Sequence, residues 1–253
     1  MSANARITPG TKSGKSVNTC TAAANPTGSP GFAVVELFTS EGCSSCPPAD
    51  RLLADLASEA EREGNPVFTL SFHVDYWNHL GWADPFSQAS FTERQRRYAD
   101  ILGGGVYTPE MVVNGSQGFV GSQSGTARAA VRNGLTRAAD CQVRIDSVSA
   151  DPKGNLSVTY AAKGCGTGAL LNLALVEKDR SVPVGRGENG GRTLKHHNVV
   201  RAFRTIRLDA QATGNSRLSP PADAPSGKVG VIAYVQDAES FAIKGAAHAD
   251  IMP

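Results

Sequence analysis

The chain has 253 residues, of which 40% are hydrophobic and 19% charged, and its formal net charge is +2. So small a charge leaves no electrostatic footprint for a nucleic-acid partner, and no run approaches the roughly 20 apolar residues a membrane-spanning helix needs. The length allows two domains of ordinary size, each able to bury a core without metals or cross-links.

Residues 1–31 are mostly Ser, Thr, Asn, Gly, Ala and Pro and lack the apolar core of a signal peptide, so they are expected to form a disordered tail. Cys20 lies in that tail without an evident partner. An apolar run over residues 33–38 predicts a strand, and it leads into Cys43-Ser44-Ser45-Cys46 and then Pro47-Pro48. Leu52, Leu53, Leu56 and Ala60 recur at helical spacing before the stop at Gly64-Asn65-Pro66. Residues 67–74 read as a strand with Phe68, Leu70, Phe72 and Val74 on one side. An aromatic stretch follows, then a short helix over 92–102 whose Arg94 and Arg97 read as an exposed charged face in preference to a site for an acidic substrate. Thr108-Pro109 precedes a strand over 110–113, the hairpin signal Asn114-Gly115, a return strand over 117–121 and a helix over about 125–139.

Beyond residue 140 the pattern changes. Strand candidates at 142–148, 156–161, 170–177, 199–208, 229–235 and 241–245 alternate with turn clusters, so residues 141–253 are expected to form a mostly antiparallel, β-sandwich-like domain after an α/β domain over 32–140. The first two of these strands form a hairpin around 151–155. Symmetry about Lys153 would pair positions whose numbers sum to 306, among them Cys141 and Cys165, and a structural disulfide is expected there. Such a bridge belongs in an oxidising compartment, which favours a periplasmic or secreted protein over a cytoplasmic one. In the polar, glycine-rich stretch 186–198, Glu188, Arg192 and His196 are expected to pin the loop against the first domain in preference to binding a ligand.

The chemistry centres on Cys43 and Cys46. A Cys-x-x-Cys can bind zinc or close a loop, but at a strand-to-helix junction the first sulfur meets unpaired N–H groups and the positive end of the helix dipole, which favour the thiolate. Cys43 is the expected nucleophile and Cys46 the resolving thiol of a thiol–disulfide oxidoreductase. One rival reading is a copper or zinc chaperone using Cys43, Cys46 and His73, although a strand histidine is more often a satisfied core residue. Another is a docking module whose cysteines stay oxidised. Trp77 and Trp82 are candidates for the wall of a substrate groove or for a loop core.

The order strand, helix, strand, helix, strand, strand, helix over 33–139, with Cys43-Ser44-Ser45-Cys46 and Thr108-Pro109, resembles the thioredoxin superfamily. The resemblance implies a cis Pro109 beside the dithiol and a backbone role in substrate binding for Thr108. Glu36 lies one residue farther from the first cysteine than the buried acid of thioredoxins and is a candidate proton acceptor for Cys46. The stretches VELFTSEGCSSCPPAD (35–50), SFHVDYWNHLGWADPF (71–86), VYTPEMVVNG (106–115) and RGENGGRTLKHHNVVRAF (186–203) are similar to the DUF1223 family, thioredoxin-like bacterial proteins of unknown function, many of them exported. The implied partner is a protein or small-molecule thiol or disulfide. No cofactor and no metal are expected.

Overall fold

A computed structural model describes residues 31–152, 154–221 and 228–251. The expected tail with Cys20, and Lys153, lie outside the described residues, apart from Gly31.

The first half runs β1 (Ala33–Thr39), α1 (Pro47–Glu63), β2 (Val67–His73), α2 (Ala89–Leu102), β3 (Glu110–Val113), β4 (Gln117–Val120) and α3 (Ser124–Thr136). Prolines open α1 and Gly64, at φ 68°, closes it, the residue types that fit each helix end. Because α1 crosses over between them, β1 and β2 pair in parallel, while β3 pairs antiparallel with β1. Side chains alternate along β1. Ala33, Val35 and Leu37 pack with α1 and α3, whereas Val34 and Phe38 pack on the side occupied by Phe91 and Tyr98 of α2.

The second half consists of β5 (Gln142–Ala150), β6 (Leu156–Lys163), β7 (Leu170–Pro183), β8 (Thr193–Arg207), β9 (Thr213–Leu218), β10 (Val229–Gln236) and β11 (Ile243–Ile251). These strands do not form a separate block. One eight-stranded sheet runs β11-β10-β7-β8-β2-β1-β3-β4, joined across the two halves by parallel pairing of Ser71 with Val199. Only β5, β6 and β9 form a second sheet, and it packs on the first through Val143, Ile145, Val158, Leu171, Leu173, Val231 and Ala233. The result is a mixed α/β architecture dominated by a large, mostly antiparallel sheet.

The β5–β6 register follows the expected sum of 306 from Ala150↔Leu156 to Ser147↔Thr159, then shifts by one between Ile145 and Ser147. Beyond this bulge Gln142 faces Lys163, so Cys141 and Cys165 are not directly opposed, contrary to the symmetric pairing. Gly164, at φ 76°, instead turns the chain back, and the two cysteines are disulfide-bonded with their Cα atoms 4.8 Å apart.

Glu36 is fully buried on the α2 face of β1. Its carboxylate accepts from Arg94 Nε at 2.8 Å and Nη2 at 3.1 Å, from Tyr234 Oη at 2.7 Å, and from Tyr98 Oη. Arg94 Nη2 also donates to Gln236 Oε1 at 2.9 Å, which accepts from Asn172 as well. Two expectations change here. Arg94 is buried and paired, not part of an exposed face. Glu36 does not lie under Cys46: its position on β1 faces α2, while α1, which Cys46 precedes, packs on the other face.

Burial disfavours the Arg94 guanidinium charge, and the adjacent Glu36 carboxylate more than restores it. Replacing Glu36 by Gln would leave that cation uncompensated in the core, a change that costs roughly 3–5 kcal/mol when a buried pair is broken. E36Q is therefore expected to lower the stability read from equilibrium urea unfolding by about that amount, and a loss below about 1 kcal/mol would contradict this account of the pair.

Candidate functional site

After β1 the chain makes a tight turn, with Cys43 N–H donating to Ser40 O at 3.1 Å, and Cys46 forms the N-cap of α1. Cys43 and Cys46 are disulfide-bonded, with Cα atoms 5.5 Å apart. Both are completely buried, while Ser44 and Ser45 between them are exposed. Ser45 Oγ stands 3.4 Å from Cys43 Sγ.

The Thr108–Pro109 peptide is cis. Glu110 pairs with Phe38, so the same register carries Pro109 to the end of β1 from which the cysteine loop departs. Trp77 connects the two loops. Its indole N–H donates to Thr108 Oγ1 at 2.8 Å, and its Cβ would lie only 3.0 Å from a Cβ on Gly42. Glu110, directly after Pro109, has its carboxyl pushed up to about 7 by burial, with the Gln95 amide opposing the shift.

Glu41 is a fully buried carboxylate two residues before Cys43. It accepts from Trp82 Nε1 at 2.7 Å and from His196 Nε2 at 3.2 Å, and its own N–H donates to Asp84 Oδ2 at 2.8 Å. That Asp84 oxygen also accepts from His73 Nδ1 at 2.7 Å. Burial works against an ionised Asp84, but the His73 charge and hydrogen bonds from His73, Glu41 and Phe86 hold its pKa below the usual carboxylate value. Asp50 Oδ1, in the first turn of α1, stands 3.9 Å from His196 Nδ1, an ion-pair separation too long for a hydrogen bond. Burial alone would lower the His196 pKa, yet the two carboxylates, Asp50 and Glu41, carry it up to about 10. An imidazolium is thus held inside the protein beside the start of α1.

The second half of the chain closes the site. The tip of the β7–β8 hairpin, residues 184–192, lies on the cysteine loop. Asn189, fully buried, donates from Nδ2 to both Glu41 O and Cys43 O at 2.9 Å, and Glu188 Oε2 accepts the Ser44 N–H at 2.9 Å. Arg192 Nη1 steadies the Asn189 carboxamide at 2.8 Å. Trp82 sits under the tip, where a Cβ on Gly187 would come within 3.2 Å of it.

Of the residues singled out from sequence, Cys43, Cys46, Thr108, Pro109 and Trp77 come together, and Trp82, Glu188, Arg192 and His196 surround the cysteine loop on the hairpin side. Glu36 is absent from it. The rival grouping of His73 with the cysteines is not formed: His73 meets Asp84, and of the other histidines and acids near Trp77, Asp75 accepts from Thr92 Oγ1 at 2.6 Å and His79 is exposed on a short 3-10 turn. Among the described residues, no three His, Cys, Asp or Glu side chains are arranged to hold a metal, and no helix is long and apolar enough to cross a membrane. Glu41, Asp50 and Asn189 were not singled out. The acid between the strand and the first cysteine, and an asparagine in a glycine-rich tip, are the signals that mark two of them.

A family model described as a protein of unknown function, DUF1223, matches residues 34–236. The chain belongs to the DUF1223 family. It is similar in structure to the protein AGR_C_4864 of Agrobacterium tumefaciens, with 30% identity, a TM-score of 0.59, and coverage of 86% of this chain and 93% of that one. It also shares its fold with HBP35 of Porphyromonas gingivalis, at 16% identity and a TM-score of 0.52, over 87% of this chain and 74% of that one. No curated protein matches the sequence.

The buried imidazolium makes stability depend on pH. Folding raises the His196 pKa from 6.5 to about 10, so the folded chain binds this proton more tightly than the unfolded chain. The stabilisation is complete below pH 6.5 and declines as the pH rises to about 10. Urea midpoints measured across that window should fall with pH in the wild type, and the slope should flatten in H196Q. Parallel slopes would contradict the assignment.

Proposed function

We propose that this DUF1223 protein is a thiol–disulfide oxidoreductase built on a thioredoxin-like arrangement, with Cys43 as nucleophile and Cys46 as resolving thiol. The observation that carries the reading is the Cys43–Cys46 pair at the start of α1, at the same sheet end as the cis Thr108–Pro109 peptide. Supporting the architectural part, β2-β1-β3-β4 are contiguous in the sheet, with α1 and α3 on one face and α2 on the other.

In the reduced protein the Cys43 thiolate attacks one sulfur of a substrate disulfide. A Cys43–substrate S–S bond forms, the substrate S–S bond breaks, and the departing thiolate takes a proton. Cys46, as thiolate, then attacks Cys43 Sγ and expels the second substrate thiolate, so the substrate gains two electrons and Cys43–Cys46 becomes the disulfide. The positive end of the α1 dipole favours the Cys43 thiolate, although Pro47 and Pro48 open the helix without N–H groups and the Ala49 and Asp50 N–H groups donate to Cys46 O; the Ser45 hydroxyl beside Sγ is the donor nearest the sulfur. Run in reverse, the same steps oxidise a dithiol, and the potential of the pair relative to its partner sets the direction. Thr108 and Trp77, which join the proline loop to the cysteine loop, are assigned to substrate binding. The Cys141–Cys165 bridge favours a periplasmic or secreted location, where structural disulfides persist.

Trapping tests the roles. In a C20S background, reduced C46S incubated with a disulfide-bonded protein such as insulin should accumulate a mixed disulfide through Cys43, and C43S should accumulate none. Equal trapping by the two variants, or none by C46S, would overturn the assignment.

A further inference from the structure

The exchange reading requires sulfurs that another sulfur can reach, yet Cys43 and Cys46 have no exposed surface. An incoming thiolate must approach a disulfide sulfur directly. Some covering segment therefore moves before exchange, and the hydrogen bonds identify it. Residues 184–192 bind the backbone of the cysteine loop at three groups, namely Glu41 O and Cys43 O through Asn189, and Ser44 N–H through Glu188. Trp82 and Trp77 flank the same loop with their indole N–H groups directed to the side chains of Glu41 and Thr108, and their segment binds the loop backbone at one group, the Glu41 N–H through Asp84, against three for the tip.

We propose that Glu188 and Asn189 are access-determining residues: the β7–β8 tip is a latch over the dithiol, and thiol–disulfide exchange proceeds from the unlatched state. The proposal deepens the exchange reading and rests on it for its biological role.

The tip is suited to leave without disturbing the sheet. Its internal bonds are local: Gly190 N–H donates to Gly187 O at 3.0 Å, and Gly191 N–H to Val184 O at 2.8 Å. Gly187 and Gly191 hold φ of 77° and 78°, so the turn uses conformations that glycine adopts without strain. Glu188 is itself exposed, and only Asn189 and Val184 at the tip are buried. The latch also opposes the reduced state. The Ser44 N–H, in the loop ahead of α1 and adjacent in sequence to Cys43, is a donor that a Cys43 thiolate would attract, and while latched it is occupied by a carboxylate. That carboxylate places a like charge one peptide unit from Cys43, so thiolate formation and latch closure disfavour each other. Release of the tip frees two backbone acceptors and one donor beside the sulfurs, groups that an extended polypeptide substrate can pair with.

The test is reduction of the oxidised protein by dithiothreitol, which supplies two electrons and two protons, cleaves Cys43–Cys46 to two thiols and closes to its own cyclic disulfide. Alkylation followed by peptide mass mapping reads Cys43–Cys46 and Cys141–Cys165 separately in one sample. E188A removes one latch hydrogen bond and N189A two, so reduction of Cys43–Cys46 should accelerate roughly fivefold in E188A and roughly twentyfold in N189A. The rate at Cys141–Cys165 should be unchanged, which a general loosening of the fold would not give. Because Glu188 is exposed, E188A carries the test if N189A fails to fold. Unchanged Cys43–Cys46 rates, or equal acceleration of both disulfides, would overturn the latch. If the variants are reduced faster while C46S traps no substrate, the latch stands and the exchange reading falls. If C46S traps substrate while the variants are reduced no faster than wild type, the reverse holds.

Discussion

The buried ion pair between Glu36 and Arg94 is where the two halves of this protein meet, through hydrogen bonds to Tyr234 and Gln236 of β10. A carboxylate with no solvent contact is tolerated only when its oxygens are fully engaged, and here the partners come from α2 and from β10, almost 200 residues away in sequence. Tyr234 and Gln236 reach this position only if β10 packs against the α2 face of β1, and Asn172 of β7 is drawn in through Gln236. With β7 and β10 so placed, β8 runs beside β2 and the long β7–β8 hairpin projects its tip over the end of β1. The geometry of the cysteine loop is therefore set partly by a charge pair on the opposite face of the sheet.

This linkage explains which parts of the molecule can be read from sequence. The β1–cysteine–α1 junction is legible because its signals are local: an apolar run, a Cys-x-x-Cys, two prolines and a helical repeat. The hairpin register is legible from the turn outward until the bulge beside Asp146, which no alternation pattern announces. The place of Glu36 is not legible, because spacing from Cys43 says nothing about which face of β1 a side chain takes. Arg94 looked exposed because a cation on a polar helix gives no sign of a buried acid fifty-eight residues earlier. The continuity of the large sheet rests on one parallel register pair, Ser71 with Val199, between strands with no sequence feature in common. Asn189 is of the same kind, since its role lies in reaching two carbonyls from a distant segment.

The electrostatics of the site are balanced by adjacent opposite charges. The start of α1 and the His196 imidazolium are positive, while Glu41, Asp50 and Glu188 are negative and within two contacts of the cysteine loop. In the latched, oxidised form Glu41 and Glu188 have hydrogen-bond partners, Asp50 stands at ion-pair distance from His196, and the sulfurs carry no charge. Reduction adds a thiolate to this group, so the redox state of Cys43 and the position of the hairpin tip are coupled through charge as well as through access. The two disulfides differ in the same respect: Cys141–Cys165 staples a hairpin whose partners are apolar, whereas Cys43–Cys46 is surrounded by groups that respond to charge.

The contrasting account is a permanently oxidised Cys43–Cys46 bridge that only holds a docking module together. The reduction potential of that pair, determined by equilibration in dithiol buffers with Cys141–Cys165 as the internal comparison, decides between them most directly. A working dithiol should lie between about −270 and −120 mV, the span of thiol–disulfide oxidoreductases, while a structural disulfide falls below about −300 mV. A Cys43–Cys46 potential inside that span and clearly above that of Cys141–Cys165 is the result this account predicts. A value below about −300 mV, level with Cys141–Cys165, would contradict it.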